Sequence, residues 1–322
     1  MVRTSVGIAA LLAATAASLS AQSPPQQVPT FKSGTSIVAL NVIVTDLEQQ
    51  YTSGLRAEDF EVFEDGVQQD VRFFATAEVP LDLILLIDAS SSMDTKMNVV
   101  HRAAAGFVET LRPEDRAAVV SFADGVRVLQ RLTEDRALVR KAIDGTGAKG
   151  ATALHNAIYV ALKEFGRPAS ADGDVRRQAI AVLSDGEDTS SLLSFDDVLD
   201  MAKRSGVSIY TIALRGQASA GSRPYFSQSD YSMKQLAVET GGRPFFPQTV
   251  QDLDQVYAAI ATELASQYSI GYVPHNGRDD GKYRRVVVRV ADRPELKPRT
   301  RTGYFLHTDT AGGAGSGGSS SR

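Results

Sequence analysis

The sequence predicts an α/β fold in which a Rossmann-like, doubly wound and mostly parallel sheet is inserted in a small β-sandwich. Between residues 80 and 267, apolar strand-like runs alternate with amphipathic helices, a pattern typical of a parallel sheet with helices on both faces. The flanking segments, residues 35–79 and 268–308, instead carry short β-type runs separated by turns. The 322 residues are enough for about two domains.

The central block contains four apolar runs that predict buried strands. The first, Leu81 to Ile87, is almost wholly apolar, as expected for a strand that is covered on both faces. The others are Ala117 to Phe122, Ile180 to Ser184 and Val207 to Leu214. Helical periodicity predicts helices over Met97 to Leu111, Asp135 to Ile143, Leu154 to Phe165, Ser194 to Gly206, Met233 to Thr240 and Leu253 to Leu264. A capping box of Ser194 and Asp197 marks the start of the fourth helix, and Gly206 marks its end.

The two flanks predict β structure. Before the block, Ser36 to Thr45 and Phe60 to Glu64 are predicted strands, and Asp65-Gly66 is a strong hairpin signal with Val71 to Phe74 as the returning strand. After the block, the predicted strands are Tyr268 to Val273, Tyr283 to Val290 and Thr300 to Leu306. Each flank has about three strands, which is marginal for independent folding. We therefore expect one joint sandwich, with two independent β appendages as the alternative.

Residues 1–21 have the features of a secretory signal. Arg3 precedes an apolar run, Val6 to Leu19, and small residues follow that run. The run is shorter than the roughly 20 residues that a membrane-spanning helix needs, so we expect cleavage and no membrane span in the mature chain. Residues 22–34 are a predicted linker, and residues 309–322 are a predicted disordered Gly/Ser tail. The protein is expected to be exported, to the periplasm or the extracellular space.

The composition excludes several classes of function. Lys plus Arg is 34 and Asp plus Glu is 38, a formal net charge of −4, which argues against a nucleic-acid partner. The absence of cysteine excludes disulfides, cysteine nucleophiles and thiolate metal sites. A metal ion would therefore be held by oxygen atoms or by the four histidines, which show no metal-ligand spacing. The oligomeric state is left open.

Oxygen-bearing side chains follow the predicted strands, at the sheet edge where open α/β folds bind ligands. One strand runs into Asp88-Ala89-Ser90-Ser91-Ser92 and another into Asp185, while the glycine-rich stretch Gly145 to Gly150 precedes Thr152. Short oxygen ligands of this kind suit a hard divalent cation that keeps several of its waters. The candidate metal ligands are Asp88, Ser90, Ser92, Thr152 and Asp185.

These residues resemble the metal-ion-dependent adhesion site of von Willebrand factor type A domains. The pattern is Asp88-x-Ser90-x-Ser92, a threonine after a glycine loop, and Ser184-Asp185-Gly186 at the end of a later strand. The combination is specific, although its first part alone is weak, and the domain would cover residues 80–267. The flanks resemble a family of secreted bacterial proteins, first seen in acidobacteria, that carry this domain inside a β-rich frame. The matching flank motifs are Leu55-Arg56-Ala57-Glu58-Asp59-Phe60, Glu64-Asp65-Gly66, Gln267-Tyr268 and Gly303-Tyr304-Phe305.

The resemblance implies a Mg²⁺-type site, with Mn²⁺ or Ca²⁺ as alternatives, at which a carboxylate of a protein partner completes the metal coordination. It implies no catalytic activity. The charges agree with this interpretation, because two carboxylates balance a divalent cation and the neutral hydroxyls leave the cation electrophilic. Asp94 and Asp188 lie close in sequence, and we interpret them as supporting or helix-capping residues.

Other interpretations remain open. The serines and Thr152 are also suitable helix caps, and Asp185-Gly186 is a suitable turn. A metal-dependent hydrolase, or a subunit of one, would use Glu187 or Asp188 as its base, although no base–nucleophile pair is apparent. A structural scaffold with a stabilising metal is a further alternative. Gly145 to Gly150 matches a dinucleotide-binding pattern, but a predicted helix precedes it where that pattern requires a strand.

Overall fold

A computed structural model of the chain describes residues 37–76, 79–166, 176–214, 227–278 and 280–305. The predicted signal, linker and tail lie outside these residues. The described residues belong to one compact unit. Within them, every helix is too short or too polar to cross a membrane.

Strands flank a central α/β block. Before the block lie β1 (Val38–Thr45), β2 (Phe60–Glu64), β3 (Val67–Gln69) and β4 (Val71–Ala75). The strands of the block are β5 (Leu81–Asp88), β6 (Arg116–Phe122), β7 (Val126–Thr133), β8 (Arg177–Ser184), β9 (Ser208–Ala213) and β10 (Pro244–Phe245). Its helices are α1 (Met97–Glu109), α2 (Arg136–Asp144), α3 (Leu154–Phe165), α4 (Phe195–Ser205), α5 (Gln228–Glu239) and α6 (Leu253–Ala265). After the block lie β11 (Tyr268–Tyr272), β12 (Tyr283–Val290), β13 (Lys297–Arg299) and β14 (Gly303–Phe305). Short 3-10 helices span Ala57–Asp59, Ser91–Lys96 and Val250–Asp252.

The strands of the block form one mostly parallel sheet in the order β10-β9-β8-β5-β6-β7, with β7 antiparallel to β6. The chain builds outward from β5 through β6 to β7, then returns to the other side of β5 to add β8. The strand order therefore reverses between β5 and β8, which is the place where doubly wound sheets bind ligands. The predicted α/β fold class is confirmed.

Burial on both faces explains the apolar character of β5. All eight of its residues are buried, and its side chains alternate between two cores. Leu83 and Leu85 pack with α1, α2 and α6, whereas Ile84 and Leu86 pack with α3, α4 and α5. Each such side chain contributes about 1.5–3 kcal/mol by leaving water. The last residue of this firmly held strand is Asp88.

The flanks build two further sheets, which we call the frame. Among the described strands, these sheets have the orders β13-β1-β11-β4 and β14-β12-β2-β3. Each sheet combines strands from before and after the block, through the antiparallel pairs β1–β11 and β2–β12. One core joins them and includes Val62, Ile270, Tyr272 and Val288. Neither flank alone supplies a whole sheet.

In the flanks, one predicted strand pairing is wrong and one strand is shorter than predicted. The strand that returns from the Asp65-Gly66 turn is β3, because positive φ angles of 48° and 85° at these residues place Val67 directly opposite Glu64. The predicted returning strand over residues 71–74 is instead β4, which pairs with β11 in the other sheet. Within the strand predicted over Thr300 to Leu306, the structure has the shorter β14, and β13, which ends just before Thr300 and lies in the other sheet, was not predicted.

The prediction also missed parts of the α/β block. It omitted β7, a half-buried strand at the sheet edge whose apolar residues are interrupted by Arg127, Gln130 and Arg131. It also omitted β10, which has only two residues. Helix α5 begins five residues before the predicted start at Met233, at a capping box formed by Ser227 and Asp230. These elements lack the long apolar runs on which the prediction depended.

Candidate metal centre

Two buried aspartates meet at the edge of the central sheet. Asp88 is the last residue of β5, and Asp185 follows the last residue of β8. Because β5 and β8 are parallel neighbours, both carboxylates lie at the carboxyl ends of the strands. Asp88 is 0% exposed, and the side chain of Asp185 is 2% exposed. The reversal of strand order thus brings two negative charges together out of water.

Hydrogen bonds join four of the five predicted ligands. The Ser90 N–H donates to Asp88 Oδ1 at 2.8 Å, and the Ser184 hydroxyl donates to Asp88 Oδ2 at 2.6 Å. The hydroxyls of Ser90 and Ser92 are 3.0 Å apart. Ser92 Oγ in turn donates to Asp185 Oδ1 at 2.7 Å. Asp88, Ser90, Ser92 and Asp185 are therefore one continuous polar cluster.

Thr152 lies in the loop before α3, close to the residue that follows Asp185. Its Oγ1 is 3.8 Å from the position that a Cβ would occupy on Gly186, the residue after Asp185. Its carbonyl accepts hydrogen bonds from the N–H groups of Thr189 and Ser190, at 2.9 and 3.1 Å. The loops that carry Thr152 and Asp185 are thus tied together.

A glycine and a further aspartate hold the loop that carries Thr152. Gly150 has φ +91°, and a Cβ on it would overlap the carboxylate of Asp124. Asp124 Oδ1 accepts a hydrogen bond from the Ala151 N–H at 2.6 Å. Two hydrogen bonds join Ser91 and Gly150: the Ser91 N–H donates to the Gly150 carbonyl at 3.0 Å, and the Gly150 N–H donates to the Ser91 hydroxyl at 2.9 Å. Sequence reasoning identified the glycine-rich loop but missed Asp124, which follows β6.

The structure gives Ser90 and Thr152 no helix-capping role. Ser90 precedes the 3-10 helix Ser91–Lys96, but its side chain makes no capping hydrogen bond there. The N-cap of α3 is Ala153, not Thr152. Asp188, in contrast, does support α3, because its carboxylate accepts from the His155 N–H at 3.4 Å and pairs with the His155 ring at 3.3 Å. The Ser90 hydroxyl thus belongs to the cluster, and the Thr152 hydroxyl lies beside Gly186.

Lys96 is a member of the cluster that sequence reasoning missed. Its ammonium forms an ion pair with Asp185 Oδ2 and donates to the Ser92 carbonyl at 3.1 Å. The sequence signal was proximity, because Lys96 lies only four residues after Ser92 in a short helical segment and its long side chain can reach back to the same loop. A search for oxygen ligands alone passes over a lysine.

The electrostatics of the cluster favour an added cation. Burial raises the pKa of Asp88, the negative charge of Asp185 adds to that rise, and hydrogen bonds from Ser184 and Ser90 oppose it. Among the described residues, no Lys, Arg or His forms an ion pair with Asp88. Two carboxylates and one ammonium leave one net negative charge, so a divalent cation would leave one net positive charge.

The donor set fits a hard metal ion. It consists of two carboxylates and three hydroxyls, and in the described part of the chain no group of three or more His, Cys, Asp or Glu side chains offers a competing site. Hydroxyl and carboxylate oxygens are ligands that Mg²⁺ and related cations accept. The fold and this cluster together define an open α/β domain with a candidate cation site at its switch point.

Comparison with known proteins identifies the family. The model of the von Willebrand factor type A domain matches residues 82–259, more than half of the chain. The chain therefore belongs to that family. Domains of this family commonly mediate metal-dependent protein–protein interactions and often bind a divalent metal ion.

Individual relatives are more distant. The protein sll0103 of Synechocystis is 30% identical over 112 residues, which are 34% of this chain and 26% of that protein. A UPF0353 protein of Mycobacterium marinum is 27% identical over 66% of each chain. The chain thus spans about a quarter and just under two thirds of these relatives. Among solved structures, a von Willebrand factor type A protein of Catenulispora acidiphila aligns with 87% of this chain and 76% of its own, at 14% identity and a TM-score of 0.48.

Proposed function

We propose that this protein is an exported, non-enzymatic adhesion module that uses a divalent cation to bind an acidic residue of a protein partner. The observation that carries the proposal is the hydrogen-bonded cluster of buried Asp88 and Asp185 with serine hydroxyls at the switch point of the sheet. The residues that would hold the cation are Asp88, Ser90, Ser92, Thr152 and Asp185.

The net charge of the site and its oxygen donors suggest how it would bind a cation and then a partner. A cation bound there supplies an electrophilic centre for an incoming carboxylate. Asp88 would bind the cation directly, because among the described residues no cationic side chain pairs with its carboxylate. The hydroxyl groups would complete the coordination shell of the cation without adding charge. Mg²⁺ suits this small oxygen set best, and Mn²⁺ and Ca²⁺ are the alternatives.

An exposed leucine in the loop that follows Asp185 supports a protein partner. Leu192 is 94% exposed, although it lies in a loop held by hydrogen bonds. The side-chain oxygen of Asn156 accepts from the N–H groups of Leu192 and Leu193, at 3.3 and 3.4 Å. Two residues before Leu192, Ser190 is bound to the Thr152 carbonyl. An apolar side chain held at this position suits an apolar contact on a protein better than it suits a small anion.

The two alternative functions have less support. A hydrolase would need a free base, but Asp188 is engaged with His155, and Glu187 is exposed. A scaffold in which the metal only stabilises the fold predicts a metal-dependent rise in melting temperature without any metal-dependent partner.

The proposal is tested with the mature chain as bait in extracts of the native envelope and culture fluid. We expect a partner that is retained in Mg²⁺, lost in EDTA, and lost with Asp88→Asn. Asparagine keeps the size of the side chain and an oxygen that accepts from the Ser90 N–H, so circular dichroism should show an intact fold. Asp94→Asn is the matched control, because Asp94 is nearby and exposed. A partner that EDTA and Asp88→Asn both leave bound would contradict the proposal.

Export is part of the proposal and needs its own test. The support is the pattern of Arg3, the apolar run Val6 to Leu19 and the small residues that follow. We expect cell fractionation to find a processed chain in the periplasm or the medium. An unprocessed chain confined to the cytosol would contradict it.

A further inference from the structure

The ammonium group of Lys96 occupies one side of the candidate metal centre. It pairs with Asp185 Oδ2 and donates to the Ser92 carbonyl. Lys96 is 24% exposed, whereas Asp185 is 2% exposed. The lysine therefore reaches inward from the protein surface to a carboxylate that is almost out of water.

Both oxygens of Asp185 already accept a hydrogen bond. Its Oδ1 accepts from the Ser92 hydroxyl and its Oδ2 from Lys96. A hydroxyl can rotate and offer a lone pair to a cation, but an ammonium group has three donors and no acceptor. A divalent cation bound by Asp185 would also lie close to the Lys96 ammonium, and the two positive charges would repel each other. Such a cation would therefore compete with Lys96 for the carboxylate.

We propose that Lys96 is an internal counter-ion which holds Asp185 in the metal-free protein and is displaced when a divalent cation binds. This inference rests on the proposed metal site. Lys96 stabilises the metal-free form, and the same ion pair lowers the affinity of the site for the metal. Displacement is possible without unfolding, because Lys96 is partly exposed and lies on the short 3-10 helix Ser91–Lys96.

The chain offers a matched control lysine. Lys149 lies in the neighbouring loop, where its N–H donates to the Ala89 carbonyl at 2.7 Å. Its side chain is exposed, and no ion pair of its ammonium is found among the described residues. Removing Lys149 thus changes the charge near the site without removing a contact to Asp185.

The test is a titration with Mn²⁺, in which free Mn²⁺ is followed by electron paramagnetic resonance, and a parallel Mg²⁺ titration by calorimetry. We expect Lys96→Met to bind Mn²⁺ about tenfold tighter or more than the wild type. Lys149→Met should stay within about twofold, because an exposed charge is screened. Asp88→Asn should lose binding.

Thermal melting gives a second readout that does not depend on binding constants. Without metal, Lys96→Met should melt below the wild type, because the buried Asp185 carboxylate loses its counter-ion. With saturating Mn²⁺ this deficit should shrink or reverse, since the metal then serves both carboxylates.

The outcomes separate this inference from the proposed function. If the wild type binds Mn²⁺, Asp88→Asn does not, and Lys96→Met binds no tighter than Lys149→Met, the counter-ion role is wrong while the metal site stands. If neither the wild type nor Lys96→Met binds Mn²⁺ or Mg²⁺, the metal site and the counter-ion role are both wrong. Binding by Lys96→Met alone would support the role in its strongest form.

Discussion

Aspartates at the two ends of β5 have opposite environments. Asp88 at the carboxyl end is buried near another carboxylate, and its pKa is raised. Asp115 lies at the amino end, where its Oδ1 accepts from the Leu81 N–H at 2.8 Å and its Oδ2 from the Arg112 N–H at 2.9 Å. Burial opposes ionisation of Asp115, but hydrogen bonds from Arg112 and Leu81 outweigh it and hold the pKa below its ordinary value. The same residue type thus anchors the strand at one end and belongs to the candidate metal centre at the other.

This difference predicts a pH-dependent effect of Asp115→Asn. Because the pKa of Asp115 is lower in the folded chain than in the unfolded chain, its carboxylate stabilises the fold above the unfolded pKa. That stability is lost as pH falls through the folded pKa. Urea unfolding at pH 7 should show a loss of about 1.5–3 kcal/mol, as for hydrogen bonds to a charged group. The loss should shrink below about pH 4, near the ordinary aspartate pKa.

Glu114, the exposed residue next to Asp115, provides the control for Asp115→Asn. Glu114 pairs with Arg112 at 3.3 Å near the surface, so Glu114→Gln should change stability by less than about 1 kcal/mol. A deficit of Asp115→Asn that stays constant down to pH 3 would show that its charge is not the source of its effect.

At the scale of elements, the bounds of long periodic helices and strands were predicted well. The strands with which the short strands pair were not. Strand β12 begins and ends where its alternation does, and α4 begins at its capping box and ends at Gly206 with φ +73°. These signals are local, because they depend on neighbours along the chain. Strands β4 and β13 have five and three residues, and each pairs with a strand that is distant in sequence, β11 and β1.

The loop before α3 predicts a difference between two glycines. Gly150→Ala should lower stability by about 1–3 kcal/mol, because φ is positive and the new methyl group overlaps Asp124. It should also weaken Mn²⁺ binding by displacing Thr152. Gly147→Ala in the same loop is the matched control, since its Cβ would have nothing within 4 Å. Calorimetric titration and thermal melts of both variants check this. Equal behaviour of the two variants would mean that Asp124 does not position Thr152.

At the scale of the molecule, a buried carboxylate joins the α/β block to the frame. Glu263 lies on α6 and is 1% exposed. It pairs with Arg299 of β13 and with Arg243, the latter at 3.2 Å, and it accepts from the Tyr51 hydroxyl at 3.2 Å. Burial and then the charge of Glu263 raise the pKa of Tyr51. The frame therefore contacts the last helix of the block through a hydrogen-bonded ion cluster.

This junction predicts that Glu263→Gln destabilises the whole molecule. Two partly exposed arginines would then face a neutral amide, and the loss of their charged partner should cost about 1–3 kcal/mol. Urea unfolding followed by circular dichroism measures the loss. Glu295→Gln is the control, because Glu295 pairs with Arg293 at the surface and should contribute less than about 1 kcal/mol. Equal stability of the two variants would show that the Glu263 cluster does not hold the frame to the block.

The sequence by itself determined the α/β class and the order of its main elements. It also supplied the five predicted ligands, because strand ends and helix starts can be located from local periodicity. That a metal ion binds at them remains a prediction. Only the tertiary structure showed that Lys96 pairs with Asp185 and that Asp124 lies against Gly150. It alone also assigned the short frame strands to their sheets. Such contacts join residues that are far apart in the chain. Local periodicity in the sequence therefore does not show which side chains will meet.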